Sequence, residues 1–257
     1  MEKIRDDLNG MVGLSRVKQD LEELILDAEI IAEHGIDAFP GRSMSMVLTG
    51  NPGTGKTEVA KKLAELYARL GLTGARFKAV SAKQLIKPYE GQTEAALQEE
   101  LDKIAANGGG VLVIDEAHQL AKTEFGRNAI DVLIPWMEDN RHNSAVVLAG
   151  YPQQMKDLFA LDPGLERRFT NRLQMPDYNA KERVELAQYF ADKDGFDIKV
   201  PSAALKRIVG PTDPQKNAGG VRELLGVAMQ NAVRRIHAEG KDPTDPANRV
   251  VTESDFA

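Results

Sequence analysis

Residues 44–67 read MSMVLTGNPGTGKTEVAKKLAELY, and this stretch decides the fold. It opens on a short apolar run (44–50), passes through a glycine-rich loop, and continues with Val59, Leu63, Leu66, Tyr67 and Leu70 at helical spacing until Gly71 supplies a stop. The unit is strand, loop, helix. Its loop, GNPGTGKT (50–57), matches G-x-x-x-x-G-K-[ST] in the one context where that pattern carries weight, directly after a strand and opening an amphipathic helix. Gly53 and Gly55 let the backbone curl so that successive N–H groups turn toward phosphate oxygens, and the helix N-terminus adds its positive dipole end. Lys56 is expected to neutralise the β- and γ-phosphates, and Thr57 to place its hydroxyl on Mg²⁺. The nucleotide-binding stretch is expected to comprise Asn51, Pro52, Gly53, Thr54, Gly55, Lys56, Thr57 and Glu58.

A bound nucleotide is hydrolysed only where a group positions water. VLVIDEAHQL (111–120) provides one: four apolar residues are followed by Asp115 and Glu116, two carboxylates at the C-terminal edge of a buried strand, where open α/β sheets bind ligands. Asp115 is expected to hold the Mg²⁺ shell through water, and Glu116 to orient or deprotonate the attacking water. His118 has no carboxylate or cysteine at ligand spacing and reads as a surface residue at a helix start.

Outward from this centre, further β-like runs lie at 76–81, 109–115, 144–150 and 171–177, separated by helical patterns. Apolar strands alternating with helices predict an α/β fold: a five-stranded parallel P-loop sheet covered on both faces, over residues 1–176. From Pro176 onward the β runs give way to helical patterns such as VRELLGVAMQNAVRRIHAEG, which predicts a small all-α lid over 177–257. Pro135 falls inside a helical pattern and should kink or end that helix, with Trp136 beside it as a packing residue. The final residues begin a helix with Thr252 as N-cap and Glu253 and Asp255 in its first turn, as expected of a piece of a longer protein.

Composition removes several classes of function. At 42% hydrophobic and 28% charged residues, with no apolar run near the ~20 residues that a membrane span requires, no membrane segment is expected. The N-terminus lacks the apolar stretch of a secretory signal, and zero cysteines exclude a disulfide framework, so the expected location is the cytoplasm. A net charge of -6 disfavours a grip on nucleic acid, leaving a protein or small-molecule partner.

NGMVGLSRVKQDL, GNPGTGKT, PYEGQT, VLVIDEAHQL, VVLAGY, DPGLERRF and GGVRELL, in this order from about residue 8 to 235, resemble the CbbX/CfxQ branch of the AAA+ ATPases. That branch includes the red-type Rubisco activase, sporulation stage V protein K and the EccA component of type VII secretion. The resemblance implies ATP and Mg²⁺ as cofactors, a homo-hexameric ring and a protein substrate. It makes Met11, Val12 and Gly13 the adenine pocket, Arg168 an arginine acting in trans on a neighbour's γ-phosphate, and Arg222 a sensor 2 arginine reaching over the nucleotide. Tyr151 falls at sensor 1, where the wider superfamily carries Asn or Thr, and whether it contacts water or packs is open. Tyr89, Glu90 and Gly91 match the aromatic-x-glycine of a substrate-gripping pore loop. The bland alternative folds Tyr89 back on its own domain.

Three functions compete. A threading or remodelling ring leads, a non-threading switch in which ATP binding controls assembly comes second, and a small-molecule kinase explains the phosphate loop but not Arg168 or Arg222. The wording YEGQT is nearer to the secretion-associated members than to the activases.

Overall fold

The structure, a computed structural model, describes residues 2–13, 17–38, 43–211 and 216–257. Leu14, Ser15 and Arg16 of the first family motif lie outside the described residues. The chain divides into two compact units, one comprising Met1–Gly50 with Gly55–Met175, the other Asn51–Thr54 with Pro176–Ala257.

The first unit begins with α1 (Glu2–Asn9) and α2 (Lys18–His34), followed by strand β1 (Met46–Thr49) and α3 (Lys56–Arg69). Then come β2 (Arg76–Ser81), the single turn α4 (Ala82–Leu85), α5 (Gln92–Ala105) and β3 (Gly110–Asp115). After a 3-10 turn at Ala117–Lys122 follow α6 (Glu124–Asp139), β4 (Ala145–Gly150), α7 (Pro152–Phe159), α8 (Pro163–Arg168) and β5 (Asn171–Gln174). All five strands are parallel in the order β2-β3-β4-β1-β5.

The sequence pattern explains this order. β3 and β4 are buried along nearly their whole length, as a strand covered on both faces must be, whereas β5 alternates buried and exposed residues at a sheet edge. Because successive side chains point to opposite faces, each strand feeds two cores. Met46 and Leu48 join Val111, Val113 and Val147 beneath α2 and α3, while Val47 joins Leu112, Ile114, Val146 and Leu148 on the face of α5, α6 and α7. The expected apolar stripe of α3 is realised: Val59, Leu63, Leu66 and Tyr67 are buried, and Gly71 at φ 74 ends the helix.

α6 does not end at Pro135. The proline sits on the exposed side, where the carbonyl it leaves without an N–H partner can bond water, while Leu133, Trp136 and Met137 anchor the helix on its buried side.

The second unit holds α9 (Ala180–Lys193), β6 (Asp197–Ile198), α10 (Ser202–Val209), α11 (Asn217–Ala238), β7 (Val250–Val251) and a closing 3-10 turn at Glu253–Phe256. It is helical as expected, with one addition: β6 and β7 form a short parallel pair, too brief to announce itself by alternation. Ala191, Phe196, Leu225, Ala228, Ala232, Ile236 and Val251 form its core. The tail is fastened to α11 by Arg235, whose guanidinium donates to both Asp255 oxygens at 3.0 Å and to the Val250 carbonyl. Thr252 caps the last turn as predicted, its hydroxyl and N–H both donating to Asp255.

Candidate active site

Parallel register brings the chemistry to one end of the sheet. Thr49 of β1 lies opposite Gly150 of β4, and the Gly50 N–H donates to the Gly150 carbonyl at 3.1 Å, so the phosphate loop leaves the sheet beside the end of β4. β2 and β3 run side by side with Ser81 opposite Asp115, so the residues after each strand also emerge together.

Lys56 opens α3 and is buried, its ammonium donating to the Gly50 carbonyl at 3.0 Å. Burial pulls its pKa below the ordinary lysine value, and the charges of Asp115 and Glu116 work against that shift. One lysine and two carboxylates therefore share one electrostatic environment, as their motifs required. Thr57 and Glu58 occupy the next positions of α3, with Thr57 half-buried and Glu58 exposed in the first turn.

Glu116 adopts φ 51 and ψ 37, a left-handed conformation uncommon for a residue with a side chain. Its N–H donates to the Asp115 carboxylate at 2.8 Å, tying the two acids together. Its own carboxylate lies 2.9 Å from Lys83 Nζ. Lys83 is exposed on α4, and the hydrogen bond with Glu116 raises its pKa. Sequence reading missed Lys83, because nothing in a local pattern relates two residues that adjacent strands deliver from separate parts of the chain.

His118 corrects another expectation: it is 2% exposed, not a surface residue. The 3-10 turn carries its ring beneath the end of β4, 4.9 Å from the Tyr151 ring, and a Cβ on Gly150 would stand 3.0 Å from its Nδ1. The small residue at 150 makes room for the ring. Burial first, then the positive charge of Lys122, lowers the His118 pKa, so the imidazole is neutral at physiological pH. Tyr151 caps α7 and packs on this ring.

The stretch Asn51–Thr54 is held within the second unit by a side-chain network. Asn217 Nδ2 donates to the Pro52 carbonyl at 3.1 Å and to Asp177 at 2.9 Å, and Asp177 in turn accepts from Asn51. The Ala218 N–H donates to Gly53 O at 3.2 Å, and the Tyr178 hydroxyl to Thr54 O at 3.2 Å. In a trans peptide the carbonyl and the following N–H point in opposite directions. With the carbonyls of 52, 53 and 54 turned to these donors, the N–H groups of Gly53, Thr54 and Gly55 face the other way, the arrangement that a phosphate cradle needs. Gly53 sits at φ 71, and a Cβ there would stand 2.5 Å from the Lys216 carbonyl, so only glycine fits. These features fit the phosphates of a bound nucleotide.

The remaining predicted residues have contacts of their own. Met11, Val12 and Gly13 follow α1, Met11 packing against the core on that face and Gly13 at φ 80. Arg168 ends α8, its Nη2 3.1 Å from the Glu138 carboxylate of α6. Arg222 pairs with Asp194 at 2.9 Å and lies over the Phe190 ring, both within the second unit. Tyr89 is 68% exposed, so it does not fold back as a packing residue. Gly91, at φ 76, ends its loop as the N-cap of α5.

The family model described as "ATPase family associated with various cellular activities (AAA)" matches residues 46–177. A protein CfxQ homolog of Galdieria sulphuraria is 33% identical over 99% of this chain and 85% of its own length. The chain belongs to the CbbX/CfxQ branch of the AAA ATPases. Stage V sporulation protein K of Bacillus subtilis is 32% identical over 92% of the chain and 76% of its own length, and protein CbbX of Cereibacter sphaeroides 33% over 91% and 79%. The solved AAA domain of FIGL-1, in complex with ADP, matches with a TM-score of 0.68 at 23% identity over 99% of this chain and 88% of that one, a likeness of fold. As an AAA ATPase the chain binds nucleotide and hydrolyses ATP. Among the described residues, no helix is long and apolar enough to cross a membrane.

Proposed function

We propose that the chain assembles into a homo-hexameric ring whose ATP hydrolysis remodels a protein substrate by drawing it past Tyr89. The observation that carries this reading is an aromatic ring left 68% exposed on a loop that starts from the same strand end as Lys83, the partner of Glu116. Tyr89 is the most exposed large hydrophobic residue among the described residues, and an aromatic face grips extended chains of almost any sequence. Of the protein substrates open to this branch, the Tyr89-Glu90-Gly91 wording favours a secretion-associated one.

In this reading Glu116 orients the attacking water and accepts its proton, while Lys56 holds the transferring phosphoryl group. Thr57 and Asp115 would hold Mg²⁺, which would supply charge neutralisation to the phosphates. Met11, Val12 and Gly13 enclose the adenine, and Tyr151, packed on neutral His118, borders the water. Arg168 acts in trans on the phosphate of the neighbouring subunit, and Arg222 reaches the nucleotide after leaving Asp194. The second reading is a switch in which nucleotide binding alone controls assembly.

Tyr89→Ala separates the two. The ring predicts a variant with wild-type thermal stability and ATP turnover that no longer remodels its substrate. Intact remodelling by Tyr89→Ala would leave the switch as the better reading.

A further inference from the structure

α6 ends against the usual electrostatic rule. Its last turn carries Glu138 and Asp139 and no basic residue, although the C-terminal end of a helix dipole is negative and disfavours carboxylates. Rule-breaking of this kind marks positions kept for another purpose. Glu138 is met by two arginines: Arg168 Nη2 of α8 at 3.1 Å from Oε2, and Arg141 Nη1, three residues on in the turn that closes α6, at 3.7 Å from Oε1. Arg141 is itself anchored, 2.7 Å from Asp37. The neighbouring Arg167 is exposed, whereas Arg168 is partly buried, with its Nε enclosed and without a hydrogen-bond partner.

We infer that Glu138 is the positioning residue for Arg168, holding one edge of the guanidinium so that its remaining donors are presented to an anionic group of a neighbouring copy of this chain. The inference rests on the trans role of Arg168 proposed above. A free arginine side chain samples many rotamers, and most of them would point elsewhere. An ion pair between half-exposed side chains contributes little to folding, and at the end of α8 it biases the direction in which Arg168 extends. Sharing Glu138 with the anchored Arg141 fixes the carboxylate in turn.

The test uses the full chain at a concentration where turnover per subunit no longer rises. Glu138→Gln keeps the size and removes the charge; its kcat should fall by about 3- to 5-fold, the most that a half-exposed ion pair can bias. KM for ATP and the thermal midpoint should stay at wild-type values. Glu138→Asp, one methylene shorter with the charge kept, should recover part of the loss. In an Arg168→Ala background, Glu138→Gln should have no further effect. Unchanged or raised kcat in Glu138→Gln, or an equal loss in the presence and absence of Arg168, would overturn the inference. Wild-type turnover in Arg168→Ala would remove the trans reading and this inference together, whereas a loss in Arg168→Ala beside normal Glu138→Gln would remove this inference alone.

Discussion

The Lys83 ammonium lies 2.9 Å from the Glu116 carboxylate, joining the turn that leads to Tyr89 to the acid that follows β3. A cation so close competes with water for the carboxylate's oxygens. Lys83 is largely exposed, so its loss should leave the fold intact. Lys83→Met is expected to raise basal ATP turnover several-fold, read as steady-state phosphate release. A fall would instead mean that Lys83 holds Glu116 in its working orientation.

Glu116→Gln preserves size but cannot accept the proton of water. Nucleotide binding should survive while hydrolysis drops by about 10²–10⁴-fold. Lys56→Ala should differ in kind, losing nucleotide affinity itself, if the buried ammonium at the root of the phosphate loop is the binding charge proposed above. Titration with a fluorescent nucleotide beside turnover separates the two. Unimpaired turnover in Glu116→Gln would remove it from the chemistry.

Asn217 tests how far the phosphate loop depends on the start of α11. It is fully buried, sits at φ 48, accepts from the Tyr178 N–H, and donates to Pro52 and Asp177. Asn217→Ala strands these partners and places alanine in a left-handed conformation, so a loss of about 2–4 kcal/mol is expected. ATP affinity should fall more than kcat. Wild-type affinity in a destabilised variant would show the network to be structural only.

The legible parts of this molecule were those written locally. Spacing alone placed the strand, loop and helix around Lys56, because a glycine-rich turn between two periodic segments has few solutions. Asp115 and Glu116 were legible for the same reason, as acids ending an apolar run. Lys83, Glu138, Asn217 and the burial of His118 were not, since each depends on strand register or helix packing between residues far apart in sequence. Arg222 shows the same limit from the other side: its motif was readable, but its pairing with Asp194 across two helices was not.

The C-terminal tail offers a test by pH. Burial pushes the Asp255 pKa up, but the hydrogen bonds from Arg235 and Thr252 outweigh it, and the carboxyl titrates below its ordinary value. The same bond raises Arg235 further beyond any working pH, so the arginine stays charged throughout. A carboxyl with a depressed folded pKa contributes stability that is complete above the unfolded value of about 3.9 and is lost as pH falls through the folded value. Asp255→Asn should therefore melt lower than wild type at neutral pH. With hydrogen bonds to a charged group worth about 1.5–3 kcal/mol, and each kcal/mol shifting a chain of this size by about 2–4 °C, the gap should be several degrees. It should close as the pH is taken below the ordinary carboxyl range, because the wild-type side chain is then protonated too. A gap that stayed constant from pH 7 to strongly acidic conditions would mean that Asp255 holds the tail to α11 by packing and not by its charge.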